Sequence, residues 1–130
     1  MDSVTITGID HVQIAAPGGC EQAARRFFGD LIGLEELEQP APLAARGGCW
    51  FQAGAHELHV GVAEPFVPAA KAHPAFRLAS VPDLDRLAAR LEHHGVTVTW
   101  ADELEIPGVR RFHAHDPWGN RLEFVARPAG

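Results

Sequence analysis

The chain has 130 residues, 46% of them hydrophobic and 22% charged, enough to bury one core and too few for two independent ones. Its 11 basic and 17 acidic residues leave a formal charge of −6, and the arginines are scattered, which argues against nucleic acid and anionic membrane as partners. No apolar run approaches the ~20 residues of a bilayer span, and Met1-Asp2-Ser3-Val4-Thr5 lacks the basic and apolar regions of a secretory signal. Two cysteines, Cys20 and Cys49, make no disulfide framework, so a reduced, cytoplasmic setting is expected.

Taken in order, a strand pattern spans residues 8–15. An amphipathic stretch follows, with Cys20, Ala23, Ala24, Phe27, Phe28 and Leu31 at the spacing of one helix face, and Gly33 closes it. Strands are expected near 34–38, 48–52 and 56–62, the last two joined by the turn residues Ala53-Gly54-Ala55. The segment 63–72, with Pro65 and Pro68, reads as a linker. The layout then repeats. A strand over 73–78 leads to Ser80-Val81-Pro82-Asp83, a helix N-cap with an acid in the first turn. Leu84, Leu87, Ala88 and Leu91 form the apolar stripe of that helix, and Gly95 closes it. Strands near 96–101, 109–115 and 121–126 complete the second half, with Asp116-Pro117-Trp118-Gly119-Asn120 as a turn. His11 and His73 lie 62 residues apart, as do Gly33 and Gly95, which marks an internal repeat. The expected architecture is α+β: one domain over 1–130, with a βαβββ module over about 4–62 and another over about 73–127. These would form a cupped mixed sheet with one helix packed on the outside of each module.

Side chains alternate across a strand. Val12 and Ile14 oppose His11, Gln13 and Ala15; Leu58, Val60 and Val62 oppose Glu57, His59 and Gly61. Phe76 and Leu78 oppose His73, Ala75 and Arg77, while Leu122 and Phe124 oppose Arg121, Glu123 and Val125. The apolar faces must meet the helices, so the other faces line any concavity. His11, His73 and Glu123 together make a two-histidine, one-carboxylate set that suits Zn, Fe(II), Ni or Mn without distinguishing them. His59 is a possible fourth ligand, because Leu58-His59-Val60 and Leu122-Glu123-Phe124 hold matching places. Trp50 and Gln52 fall opposite Cys49 and Phe51 and are candidate substrate contacts. Arg111, His113 and His115 share a face of the seventh strand. The remaining histidines have simpler accounts: His56 is turn surface, and His93 and His94 favour the end of a helix dipole. Cys20 and Cys49 read as inert core thiols.

The halves, with His11 in "GIDHVQIA", His73 in "AHPAFRL" and the run "DPWGNRLEF" ending in Glu123, resemble the vicinal oxygen chelate superfamily. That group includes glyoxalase I, extradiol dioxygenases and bleomycin-resistance proteins. The resemblance implies paired βαβββ modules around a cleft, usually in a homodimer. It also implies metal ligands at the inner positions of the first and last strand of each module, which map onto His11, His59, His73 and Glu123. Two departures stand out: glyoxalase I has a carboxylate where this chain has His59, and the extradiol enzymes use active-site tyrosines, of which this chain has none.

The expected function is a divalent-metal-dependent lyase or isomerase acting on a small oxygenated metabolite through a metal-chelated enolate or alkoxide. Glu57 and His113 are the candidates for proton transfer, and Arg77 and Arg111 for holding a substrate carboxylate. The alternatives are a metal-free protein that sequesters a drug or metabolite, and an Fe(II) ring-cleaving dioxygenase. Four inward titratable groups are costly to bury without a metal, which favours the enzyme.

Overall fold

A computed structural model describes residues 2–129; Met1 of the opening segment and the last residue of the 1–130 span lie outside the described residues. Sheet 1 contains β1 (His11–Ala16), β2 (Glu35–Leu37), β3 (Cys49–Ala53) and β4 (His56–Val62), in the order β1-β4-β3-β2. Sheet 2 contains β5 (Ala75–Arg77), β6 (Thr99–Trp100), β7 (Arg110–His115) and β8 (Arg121–Ala126), in the order β5-β8-β7-β6. In each sheet the first strand runs parallel to the fourth and the other pairs are antiparallel. The parallel pair requires a long crossover, and the helix and the two intervening strands supply it. The expected α+β class with two like modules is the observed one.

The first helix begins as α1 (Glu21–Ala24) and continues as a π-helical segment, Arg25–Leu31, where the sequence pattern predicts uninterrupted α-helix. Phe27 and Phe28 are both buried here. With more residues per turn, consecutive side chains diverge less, so both rings can reach the sheet. A short helix α2 (Ala41–Ala44) follows Pro40, with no periodicity to announce it. The longest helix, α3 (Val81–His93), is capped as expected: the Ser80 hydroxyl accepts the Asp83 amide at 3.2 Å. Gly33 and Gly95 follow the two main helices at φ of 93° and 80°, a region that L side chains avoid. Strand β5 is shorter than its pattern, because Pro74 has no amide to give the ladder; its carbonyl still accepts the Glu123 amide at 3.0 Å.

Each sheet buries one face. Ile14, Ala16, Cys49, Phe51, Leu58 and Val60 of sheet 1 and Phe112, Ala114, Leu122, Phe124 and Ala126 of sheet 2 form one apolar cluster with Phe27, Phe28, Leu84, Leu87 and Leu91 from the helices. The turn 116–120 ties the sheets together. The Asp116 carboxylate accepts the Trp118 and Asn120 amides at 3.0 and 2.8 Å, and the Asn120 side-chain amide donates to the Ala15 carbonyl at 2.7 Å. Burial pushes the Asp116 carboxyl up, against the pull of these donors.

Among the described residues no helix is long and apolar enough to cross a membrane.

Gly48 has φ of 87°, and a Cβ there would lie 2.1 Å from the Val60 carbonyl oxygen. Gly54 has φ of 61° and open space around it. Gly48→Ala is therefore expected to cost about 3 kcal/mol or more, combining a left-handed backbone with a clash. Gly54→Ala should cost about 1 kcal/mol, from backbone strain alone. Urea titration of the two variants checks the order.

Candidate functional site

The uncovered faces carry the polar side chains, and the strand register gives the two faces the same frame. On sheet 1, His59 is paired with Gln13 on one side and Trp50 on the other. On sheet 2, Glu123 is paired with Ala75 and His113. His11 and His73 each stand two residues before the parallel partner. The trio His11, His59 and Trp50 thus has its counterpart in His73, Glu123 and His113.

In the sheet 2 trio, His73 Nε2 and His113 Nε2 both lie 3.0 Å from Glu123 Oε1. The three residues' ligand atoms fall within 4.8 Å of one another. His73 Nδ1 lies 2.9 Å from the Lys71 carbonyl oxygen, which can only accept, so Nδ1 carries the hydrogen. The ring's other nitrogen, Nε2, then points a lone pair at an ionised carboxylate unless a cation, either a proton or a metal ion, stands between them. A histidine whose second nitrogen donates to a backbone carbonyl is the usual outer arrangement of a metal ligand. This donor set of two imidazoles and a carboxylate fits a divalent first-row ion.

Burial pushes the Glu123 carboxyl up. Its neighbours His73, His113 and Arg111 together outweigh that burial, and its pKa lies below the ordinary value. His113 is also held below its ordinary value, first by burial and then by the positive charge of Arg121. Arg111 lies 11% exposed between two carboxylates, 3.5 Å from Glu123 Oε1 and 2.9 Å from Glu105 Oε2.

In the sheet 1 trio, the His59 ring is sandwiched. Trp50 lies parallel to it with centroids 3.9 Å apart, and His11 stacks on the other side at 4.2 Å. His11 Nδ1 is 2.8 Å from Asp10 Oδ1, so, as in His73, Nδ1 is the nitrogen held by an oxygen and Nε2 is directed elsewhere. His59 Nε2 is 2.9 Å from Glu57 Oε1.

Of the residues singled out in the sequence, His73, Glu123, His113 and Arg111 are therefore brought together on sheet 2, and His11, His59, Glu57 and Trp50 on sheet 1. His11 is not among the residues gathered at Glu123. Gln52 points to the hairpin turn, donating to the Gly54 and His56 carbonyls at 2.7 and 3.1 Å. Arg77 is exposed on β5 and forms no ion pair among the described residues. The sequence gives little sign of Glu105, because its partnership with Arg111 depends on the path of an irregular segment. The role of Lys71 is equally hidden, since it acts through its backbone carbonyl.

A family model described as the Glyoxalase/Bleomycin resistance protein/Dioxygenase superfamily matches residues 8–124. The chain belongs to this superfamily. It is similar to a crystal structure of a glyoxalase family protein from Bacillus anthracis, with 46% sequence identity and a TM-score of 0.89; 97% of this chain and 99% of that one are covered. Lactoylglutathione lyase from Agrobacterium tumefaciens shares the fold at 19% identity and a TM-score of 0.71, covering 93% of this chain and 94% of the other. The fosfomycin resistance protein FosX from Listeria monocytogenes does so at 16% identity and a TM-score of 0.72, with 94% of each chain covered. Among curated proteins, none matches the sequence.

The depressed values at Glu123 and His113 give this superfamily member a stability that depends on pH. The unfolded chain takes up a proton at His113 near pH 6.5 while the folded chain still resists it, so that part of the stability is lost as pH falls below 6.5. The Glu123 part is present above about pH 4.5 and is lost as pH falls through the lower folded value. Urea midpoints of chelator-treated protein should fall from pH 7 to pH 5. In His113→Gln the slope over that window should be shallower by up to one proton, about 1.4 kcal/mol per pH unit at most. An unchanged slope in the variant would contradict the assignment.

Proposed function

We propose that this superfamily member is a divalent-metal-dependent lyase or isomerase acting on a small oxygenated metabolite. The observation that carries the reading is the approach of His73 Nε2 to one oxygen of Glu123, with the second nitrogen of His73 already committed to a carbonyl. His73 and Glu123 would hold the ion, joined by His11 and, as a fourth ligand, His59. A bound ion supplies Lewis acidity that offsets negative charge developing on substrate oxygens; the donor set suits Zn, Fe(II), Ni or Mn.

The chain's own residues supply the rest. His113, neutral because its pKa is depressed, gives its Nε2 hydrogen to Glu123 and keeps the Nδ1 lone pair as a proton acceptor. Glu57, beside His59 on the other sheet, is the second candidate base. Arg111 and Arg77 hold a carboxylate on the substrate, and Trp50 offers a flat apolar wall. Gln52 contacts substrate only by releasing the turn carbonyls it now binds.

His11 and His59 lie on one sheet and His73 and Glu123 on the other, so the reading takes a cytoplasmic homodimer in which sheet 1 of one copy faces sheet 2 of its mate. A second reading, a metal-free protein that sequesters a drug or metabolite, draws support from the aromatic stack of Trp50, His59 and His11, which a planar ligand would extend on an outer ring face, turned away from His59.

Metal analysis of protein purified without chelator separates the two. The enzyme reading expects a stoichiometric divalent ion, with affinity reduced by at least about 100-fold in His11→Ala, His73→Ala and Glu123→Ala. Mixing His11→Ala with Glu123→Ala under exchange conditions should restore part of the metal content if sites are shared between copies, and none if each lies within one chain. Failure to retain any of the four ions after reconstitution overturns the enzyme reading. Tight binding of a bulky planar ligand by the same metal-free protein would then favour sequestration.

A further inference from the structure

The segment 101–109, between β6 and β7, grips the start of β7 from both sides. Glu103 pairs with Arg110 at 3.0 Å. Arg110 belongs to the helix-covered side, where it also meets Asp85 of α3 and lies over the Trp100 ring. Glu105 pairs with Arg111 at 2.9 Å on the open face. The Ala101 amide donates to the Arg111 carbonyl at 3.1 Å and fixes the start of the segment to β7. Beyond it the hydrogen bonds are local: Leu104 N to Asp102 Oδ1 at 2.8 Å and Glu105 N to the Asp102 carbonyl at 3.1 Å. Leu104 and Ile106, which flank Glu105, are exposed, so no apolar packing pins the segment at that point.

The two carboxylates on Arg111 are unequal. Glu123 is 13% exposed and set in a strand, whereas Glu105 is 60% exposed and set in a segment with few anchors. An ion pair with one well-solvated partner is worth roughly 0–1 kcal/mol, and a segment without buried apolar contacts opens at small cost. Glu105 is therefore the partner that Arg111 can exchange. Its replacement must resemble it: a planar carboxylate able to meet the guanidinium fork with two oxygens.

We infer that Glu105 is a built-in stand-in for the substrate's carboxylate. It occupies Arg111 in the empty protein and is displaced when a small carboxylate with a neighbouring oxygen, a 2-oxo or 2-hydroxy acid, enters beside Glu123. The part of the segment around Glu105 then moves away from the Arg111 side chain, while Glu103 stays paired with Arg110 and the Ala101 amide stays bonded to the Arg111 carbonyl. This names the substrate class for the site proposed above and rests on that reading for its location. It concerns Arg111 and Glu105 alone, so it is testable without metal.

The test uses chelator-treated full-length protein, with pyruvate and lactate and their uncharged methyl esters as probes, and ligand-observed NMR titration as the readout. The acids should bind and the esters should bind at least several-fold more weakly. Glu105→Gln should tighten the acids about two- to five-fold, the range set by a solvated ion pair, and leave the esters unchanged. Arg111→Gln should abolish acid binding, and Arg111→Lys, which keeps the charge but loses the fork, should weaken it; melting curves confirm that each variant is folded. Amide exchange across residues 102–108 should quicken when acid binds. Equal binding of acid and ester, no gain in Glu105→Gln, or no acid binding up to roughly 50 mM, far above the millimolar effective concentration of a tethered carboxylate, would overturn the inference. Those outcomes are independent of whether the untreated protein carries an ion, so failure here and failure of the metal-dependent reading are told apart.

Discussion

Each strand of both sheets has to place alternate side chains against a helix, and this two-sidedness governs where everything polar can go. Leu58 and Val60 must lie under the first helix, so Glu57 and His59 emerge on the other face. Leu122 and Phe124 must lie under α3, so Glu123 emerges likewise. A slip of one residue in either strand would bury a carboxylate among phenylalanines and expose the core. The position of the chemistry is thus fixed by the burial of residues that take no part in it.

Parity explains why much of this was legible in the sequence. The apolar stripes of the two main helices, the Ser80 cap, the closing glycines at 33 and 95 and the inward faces of β1, β4 and β8 all follow from local rules acting over a few residues. What escaped has a different physical origin. The π-helical turns at Arg25–Leu31 come from the demand that adjacent phenylalanines share one core. The shortness of β6 reflects which partner the strand finds. The meeting of His73, His113 and Glu123 depends on the register between β5, β7 and β8, and Glu105 reaches Arg111 through an irregular segment. Parity placed His113 on the open face but gave no distance to Glu123.

The two open faces share one frame and have diverged in content. Where sheet 2 has a carboxylate flanked by imidazoles, sheet 1 has an imidazole flanked by an indole and another imidazole. One face gathers charge and the other gathers flat, weakly polar surface. His11 and His73 keep a common feature, an Nδ1 occupied by oxygen and an Nε2 directed elsewhere, although the oxygen comes from an adjacent aspartate in one case and a backbone carbonyl in the other.

The parallel contact between Trp50 and His59 has a practical consequence. With no tyrosine in the chain, near-ultraviolet emission comes from three indoles in distinct surroundings. Trp100 lies beneath the Arg110 guanidinium and Trp118 packs against the apolar cluster, leaving Trp50 as the one that touches the polar surface through its stacked imidazole. The molecule therefore contains a native optical reporter, whose brightness follows the electronic state of a single neighbouring ring.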